Sequence, residues 1–272
     1  MAWKYKGVKN VEHERFISKR ITKIRGNERT ETEDYITVES PVTIYLNGNE
    51  LVTLLCTPEK IDLLAIGFLR SEGLLSHHDE VESLRIDEEQ GFVYVELKEK
   101  TGLAEKLYGK RTVTSGCGKG TVFFNVLDSL RSKPLTGKLV LDTATVISLI
   151  NELQQKSELF RITGGVHSAA LADKSGILFF HEDIGRHNAI DKIIGECILA
   201  GISTRDKIII SSGRLSSEIL LKAAKLEIQL ILSRSAPTSL TIDLADSLNI
   251  TLVGFIRGSR MNVYTHKWRV AN

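Results

Sequence analysis

Cysteine is scarce in this 272-residue chain, which has three, at positions 56, 117 and 197. So small and odd a number argues against a disulfide scaffold and fits a reducing compartment. Long apolar runs are also lacking: none approaches the roughly 20 residues that a membrane helix needs. The amino terminus has no apolar segment of the kind that opens a secretory signal. Neither basic residues interleaved with aromatics nor a nucleic-acid-binding motif occurs. A membrane and a nucleic acid are therefore not expected as partners, and the cytoplasm is the expected location. The net charge of +2 selects no partner class by itself. Its distribution is more telling, because Met1 to Arg29 carries nine lysines and arginines against three glutamates. That predicts a basic, solvated and partly disordered arm over residues 1–30, able to meet an acidic partner.

The three cysteines have different neighbourhoods. Cys56 follows Leu54-Leu55 and Cys197 precedes Ile198-Leu199, so both are expected to behave as small core hydrophobes. Cys117 sits in Thr114-Ser115-Gly116-Cys117-Gly118-Lys119-Gly120, with no apolar residue within two positions. Glycines free the backbone and leave the sulfur reachable. The ammonium of Lys119 and unpaired backbone amides favour the thiolate, which is the nucleophilic form. Cys117 is thus the candidate catalytic residue; the alternative is a structural thiol.

Strand patterns begin at Tyr35-Ile36-Thr37-Val38 and continue through Val42 to Leu46 and Leu51 to Leu55, with Asn47-Gly48 predicting a hairpin turn. Thr57-Pro58-Glu59 has the pattern of a capped helix start, and apolar residues recur at helical spacing to Leu75. Val81 to Ile86 and Phe92 to Leu97 form a second predicted hairpin. Val122 to Leu130 fits a short helix or a strand. Lys133 to Lys138 is the expected linker. It would divide a β-rich α+β domain over residues 31–132, ending in the cysteine loop, from an α/β domain over 139–272. Beyond it, Asp142 is expected to cap a helix bearing Val146, Leu149, Ile150 and Leu153. Val166 to Leu171 and Gly176 to Phe180 should pair as a hairpin, followed by a helix from Asn188 to Ala200 ended by Gly201. Three apolar strands follow, Lys207 to Ser211, Leu230 to Ser233 and Thr251 to Ile256, separated by helices near Ser216 to Glu227 and Ser239 to Leu248. That alternation predicts a parallel sheet covered on both faces, and the element order suggests a cytidine-deaminase-like, three-layer fold.

Ligands of open α/β sheets bind beyond the carboxyl ends of the strands. Here those ends carry Ser211-Ser212-Gly213-Arg214, Ser233-Arg234-Ser235 and Arg257-Gly258-Ser259-Arg260. Serines at helix starts and arginine guanidinium groups favour an anion, and three such ends together suggest more than one phosphate. The densest polar cluster runs from His181 through Asp183 and His187 to Asp191, and His167 follows Gly164-Gly165-Val166; these could hold a metal, act in acid–base chemistry or position a ligand. His187 lacks the glutamate two residues on that a zinc deaminase uses, and Ser212 to Ser217 contains no cysteine, so neither zinc nor any other metal is expected.

Taken together, these motifs resemble the formate dehydrogenase accessory sulfurtransferase family, FdhD/NarQ. The resemblance runs from about Ile36 to Trp268 and rests on the Ser-Gly-Cys-Gly loop, Gly164 to Ala170, Glu182 to Lys192, Ser211 to Arg214, Ser233 to Thr238 and Gly254 to Gly258. It implies a cytoplasmic sulfurtransferase that takes sulfane sulfur from a cysteine desulfurase as a persulfide on Cys117. The sulfur would pass to the bis-molybdopterin guanine dinucleotide cofactor, with molybdenum or tungsten, before insertion into formate dehydrogenase. Phe255, Ile256, Arg257, Gly258, Ser259 and Arg260 would contact this cofactor and its guanine nucleotide. Ser212, Gly213, Arg214, Ser233, Arg234, His187, Asp183 and His167 join them as expected cofactor-binding residues. A homodimer is expected. In the family a second cysteine commonly follows the first by three residues, whereas this chain has Gly120. A cofactor-binding chaperone without sulfur chemistry is the alternative.

Overall fold

The computed structural model describes residues 14–98 and 134–271. The Cys117 loop, the Val122 to Leu130 segment and Lys133 lie outside the described residues. Where a solvated basic arm was expected, the chain forms a long ribbon of β1 (Phe16–Arg25) and β2 (Glu28–Thr37). Two features of the sequence account for it. Gly26-Asn27 is a two-residue loop with Gly26 at φ 58°, where hairpins favour glycine. The register also sets a basic strand beside an acidic one, Lys19 opposite Asp34, Arg20 opposite Glu33 and Arg25 opposite Glu28.

A four-stranded sheet follows, built from β3 (Ser40–Leu46), β4 (Asn49–Cys56), β5 (Val81–Asp87) and β6 (Phe92–Leu97) in the order β4-β3-β6-β5. Asn47 and Gly48 turn the first hairpin, both at positive φ as expected. β3 and β6 run parallel. Between β4 and β5, α1 (Ile61–Glu72) covers one face of the sheet, burying Leu64, Ile66, Phe68 and Leu69 against Val42, Ile44, Val93 and Val95. Thr57 does not cap this helix. The cap position is Lys60, in the left-handed region and without a side-chain cap. Thr57 is buried and is used elsewhere, as described below.

The second half is one six-stranded sheet in the order β13-β12-β11-β10-β8-β9. Its members are β8 (His167–Asp173), β9 (Gly176–Asp183), β10 (Ile208–Ser211), β11 (Leu230–Ser233), β12 (Thr251–Arg257) and β13 (Arg260–Val263). β10, β11 and β12 are parallel, while β8, β9 and β13 run antiparallel to their neighbours. α2 (Thr143–Lys156) covers one face, with Val146, Leu149, Ile150 and Leu153 against Ile208, Ile210, Leu230 and Leu232. Asp142 caps it, accepting from Thr145 N at 2.7 Å. On the other face, α4 (Arg186–Ala200), α5 (Ser217–Lys225) and α6 (Ser239–Ser247) pack on Ile209, Ile231 and Leu252. Successive strand residues point to opposite faces, so a sheet covered on both sides needs strands that are apolar throughout. A six-residue helix not foreseen from the sequence, α3 (Glu158–Thr163), sits between α2 and β8. β7 (Leu141–Asp142) and β14 (Val270–Ala271) form a short separate parallel pair. The predicted linker does not run free: Leu135 N donates to Leu248 O at 3.0 Å and Leu139 is buried.

The two sheets are joined where α1 crosses α4. A Cβ on Gly67 would lie 1.7 Å from Asp191 O, and one on Gly195 would lie 2.0 Å from Leu63 O. Only glycine at these two positions permits so close a crossing.

Candidate functional site

The parallel strands end together, and a cavity of ≈ 570 Å³ opens there. Ser212, Arg234, Ser235 and Arg257, each just past or at the end of β10, β11 or β12, line it, with His167 and Ser168 from the start of β8. α2 and α3 contribute Leu153, Gln154, Phe160 and Arg161, and Gly164-Gly165 closes the rim. Gly164 ends α3 in the left-handed region at φ 67°. Gly165 lies against the ribbon, where a Cβ would fall 2.7 Å from Thr37 Oγ1.

Local hydrogen bonds fix the strand ends. Ser168 N donates to Ser212 Oγ and Ser212 N donates to Ser168 O, both at 2.9 Å, locking β8 to the turn after β10. Ser233 Oγ donates to Gly213 O at 2.7 Å and accepts from Ser235 N at 2.9 Å. His167 Nδ1 lies 3.4 Å from Ser212 Oγ. Burial first, then the Arg186 and Arg214 cations, hold the His167 pKa below the ordinary histidine value.

Among the described residues, the cavity wall carries three arginines and no carboxylate. Arg161 is engaged, donating to the carbonyls of Gln154 and Gln155 at the end of α2. Arg234 buries its Nε with no partner among the described residues. A guanidinium so placed is suited to an oxyanion that completes its hydrogen bonds. No group of three or more His, Cys, Asp or Glu side chains among the described residues is placed to hold a metal ion.

The structure thus brings His167, Ser212, Arg234 and Arg257 together, but separates other expected cofactor contacts from them. Asp183 is fully buried and engaged on every side. Its carboxylate lies 2.8 Å from Lys192 Nζ and accepts from Thr57 N, Gly185 N and Asn188 Nδ2. It anchors the start of α4, and Thr57 is its tie to the first sheet. His187 lies beside Ser216 and Glu218, each 3.3 Å from its Nε2. Burial, with the Lys222 and Arg186 cations nearby, lowers its pKa to about 3. Ser233 is buried and spent on the tie just described. Ile256 is buried in the core against α2. Gly213 is pressed against Arg186 and His167, where a Cβ would come within 3.1 Å and 3.4 Å of their side chains. Arg214 is exposed.

Around Ile256 the chain alternates in an irregular way. β12 bulges between Gly254 and Arg257, and Phe255 adopts φ 51°, a left-handed conformation uncommon for an aromatic residue. Its ring is thereby turned outward, 41% exposed, with the Arg257 guanidinium 6.0 Å from the ring centre. Gly258, Ser259 and Arg260 form the exposed tip of the β12–β13 hairpin. Phe160 and Arg161 were not anticipated as site residues, and their only sequence signal was Ser157 and Gly164 bracketing a helix too short for periodicity to show.

Comparison with known proteins identifies the family. The sequence model of the FdhD/NarQ family matches residues 37–271. The sulfur carrier protein FdhD of Bacillus subtilis (strain 168) is 47% identical over 243 residues, covering 89% of this chain and 93% of that protein. The protein of the same name from Staphylococcus aureus (strain MRSA252) is 46% identical over 241 residues, 88% of this chain and 90% of that one. A crystal structure from Desulfotalea psychrophila, described as a formate dehydrogenase accessory protein, superposes with a TM-score of 0.77 at 28% identity, covering 94% of this chain and 99% of that one. With its mixed α/β architecture and its motifs in order along the chain, this protein belongs to the FdhD/NarQ family.

Proposed function

We propose that this chain is a sulfur carrier in the maturation of formate dehydrogenase. The observation that carries the reading is the cavity at the strand ends, lined by arginines and serines and free of carboxylates, in a chain whose relatives are named sulfur carriers. In this reading the Cys117 thiolate attacks the outer sulfur of a persulfide on a cysteine desulfurase. The sulfur–sulfur bond of the donor breaks, its cysteine leaves as thiolate, and Cys117 holds the sulfane sulfur as a new persulfide. No net oxidation accompanies the exchange. When the outer sulfur is handed on, Cys117 returns as a thiolate. Gly120 stands where a second cysteine would be, so release through an internal disulfide in the loop is not open to this chain.

The acceptor in this reading is bis-molybdopterin guanine dinucleotide, a cargo whose phosphates suit Arg234, Arg257, Ser212 and Ser235. Phe255, Ser259 and Arg260 would extend the contact along the β12–β13 hairpin. Residues 139–272 would form a cytidine-deaminase-like domain and residues 31–132 a smaller one, supported respectively by the order α2, sheet, α4–α6 and by the separate core beneath α1. A cytoplasmic homodimer belongs to the same reading. No helix among the described residues is long and apolar enough to cross a membrane.

The second reading, a chaperone that binds the cofactor without sulfur chemistry, is favoured only by Gly120. Expression of the Cys117→Ala variant in cells lacking their own carrier separates the two. Sulfur transfer predicts soluble protein that binds guanosine diphosphate like the wild type and restores no formate dehydrogenase activity. Restored activity would make the protein a chaperone.

A further inference from the structure

α3 is held in an unusual way. The buried carboxylate of Glu182, at the end of β9, accepts from Leu159 N at 2.9 Å and from Phe160 N at 3.0 Å. The same carboxylate accepts from Ser168 Oγ at 3.3 Å, and Ser168 Oγ lies 2.7 Å from Ser157 Oγ. Ser168 is in turn locked to Ser212, so one hydrogen-bonded chain runs from the first turn of α3 to the strand ends of the cavity. Six residues are too few for a helix to stand by itself in water. α3 therefore keeps its place because Glu182 and the serines hold its amides. What this fixes is Phe160, which lines the cavity and is 46% exposed. An apolar ring left open to solvent at the mouth of an arginine-lined cavity has no packing role in the core, and its face matches a planar ring better than it matches a phosphate.

We infer that Phe160 is the stacking platform of the cavity, taking the flat heterocycle of a ligand whose phosphates lie on Arg234 and Arg257, and that Glu182 is the residue that positions it. The inference rests on the cavity being the nucleotide site proposed above and adds the residue that recognises the base. Guanosine diphosphate and inorganic pyrophosphate separate the two parts of the ligand and serve as probes. Phe160→Ala should weaken guanosine diphosphate about tenfold or more, the scale of one lost base–aromatic stack, and leave pyrophosphate binding unchanged. Phe160→Tyr, which keeps the ring, should restore the nucleotide affinity. Glu182→Gln replaces one acceptor oxygen by an amide that faces a backbone N–H, and should cause the same selective loss for the nucleotide, whereas a merely structural role would lower both affinities together.

Two results would overturn the stacking role while leaving the cavity reading intact. One is unchanged nucleotide affinity in Phe160→Ala while Arg234→Ala weakens both probes. The other is an equal loss of both probes in Phe160→Ala. Failure of the wild-type protein to bind either probe would overturn the cavity reading and this inference with it.

Discussion

Burial marks two of the three cysteines, Cys56 and Cys197. Cys56 and Cys197 lie in the cores beneath α1 and along α4, and desolvation pushes both thiols up to about 12. Thiolates are therefore not formed there at neutral pH, and native alkylation followed by peptide mapping should label Cys117 alone. Labelling of Cys56 before unfolding would show that its core opens. His187 makes a second prediction at this scale. Its native value of about 3 lies below the unfolded 6.5, so the unfolded chain takes up a proton that the native form refuses. Stability should fall as pH drops through that window, by up to about 1.4 kcal/mol per pH unit. Glu182, raised by burial, pulls the other way at the acid end. The comparison with His187→Gln isolates the histidine, because the variant should lack its part of the slope; identical slopes would contradict the assignment. At the residue scale the burial of Cys56 and Cys197 is legible in their apolar neighbours, and the strand-end position of Arg234 and Arg257 in the strand pattern. For Asp183 and Ser233 the sequence gives no sign of whether a polar residue faces a ligand or ties two backbones together, and the bulge in β12 that sets Ile256 in the core beside an exposed Phe255 has no sequence signal.

Strongly periodic or clearly punctuated elements were readable: the Asn47-Gly48 hairpin, α2 with its Asp142 cap, and the three apolar strands of the parallel sheet. Most of the ribbon was not, because its strands are rich in charged residues and the pairing of a basic strand with an acidic one is visible only once the register is known. Nor was α3, whose six residues complete too few turns for a pattern to repeat. Glycines permit a sharp test of packing against conformation. Gly67→Ala and Gly195→Ala each force a Cβ into a backbone carbonyl at the α1–α4 crossing and should destabilise by about 1–3 kcal/mol or more. Gly201→Ala, at φ 63° with open space around it, should cost about 1 kcal/mol for its conformation alone. Urea unfolding of the three variants ranks them, and a Gly67→Ala protein as stable as Gly201→Ala would deny the close crossing. The ribbon itself stands largely in solvent with Ile24 and Tyr35 exposed.

At the scale of the whole molecule, the two sheets are held by buried charge as well as by the glycine crossing. Thr57, from the first sheet, meets the Asp183–Lys192 pair, and Ser71 Oγ donates to Asp191 at 2.6 Å, itself 2.6 Å from Lys222. Asp183→Ala leaves Lys192 buried without its carboxylate and should lower stability by about 3–5 kcal/mol in urea unfolding. A loss below about 1 kcal/mol would show that the tie contributes little to holding the sheets together. Within the polar run from His181 to Asp191, Asp183 and Asp191 fasten the six-stranded sheet and α4 to the segment that carries Thr57 and α1. Sulfur transfer by Cys117 is the central claim. Its most direct test is the intact mass of the protein after incubation with a cysteine desulfurase and cysteine, followed by peptide mapping. A persulfide carrier gains one reducible sulfur atom on the peptide holding Cys117, and the Cys117→Ala variant does not. No gain, with the desulfurase active on another acceptor, would contradict the claim.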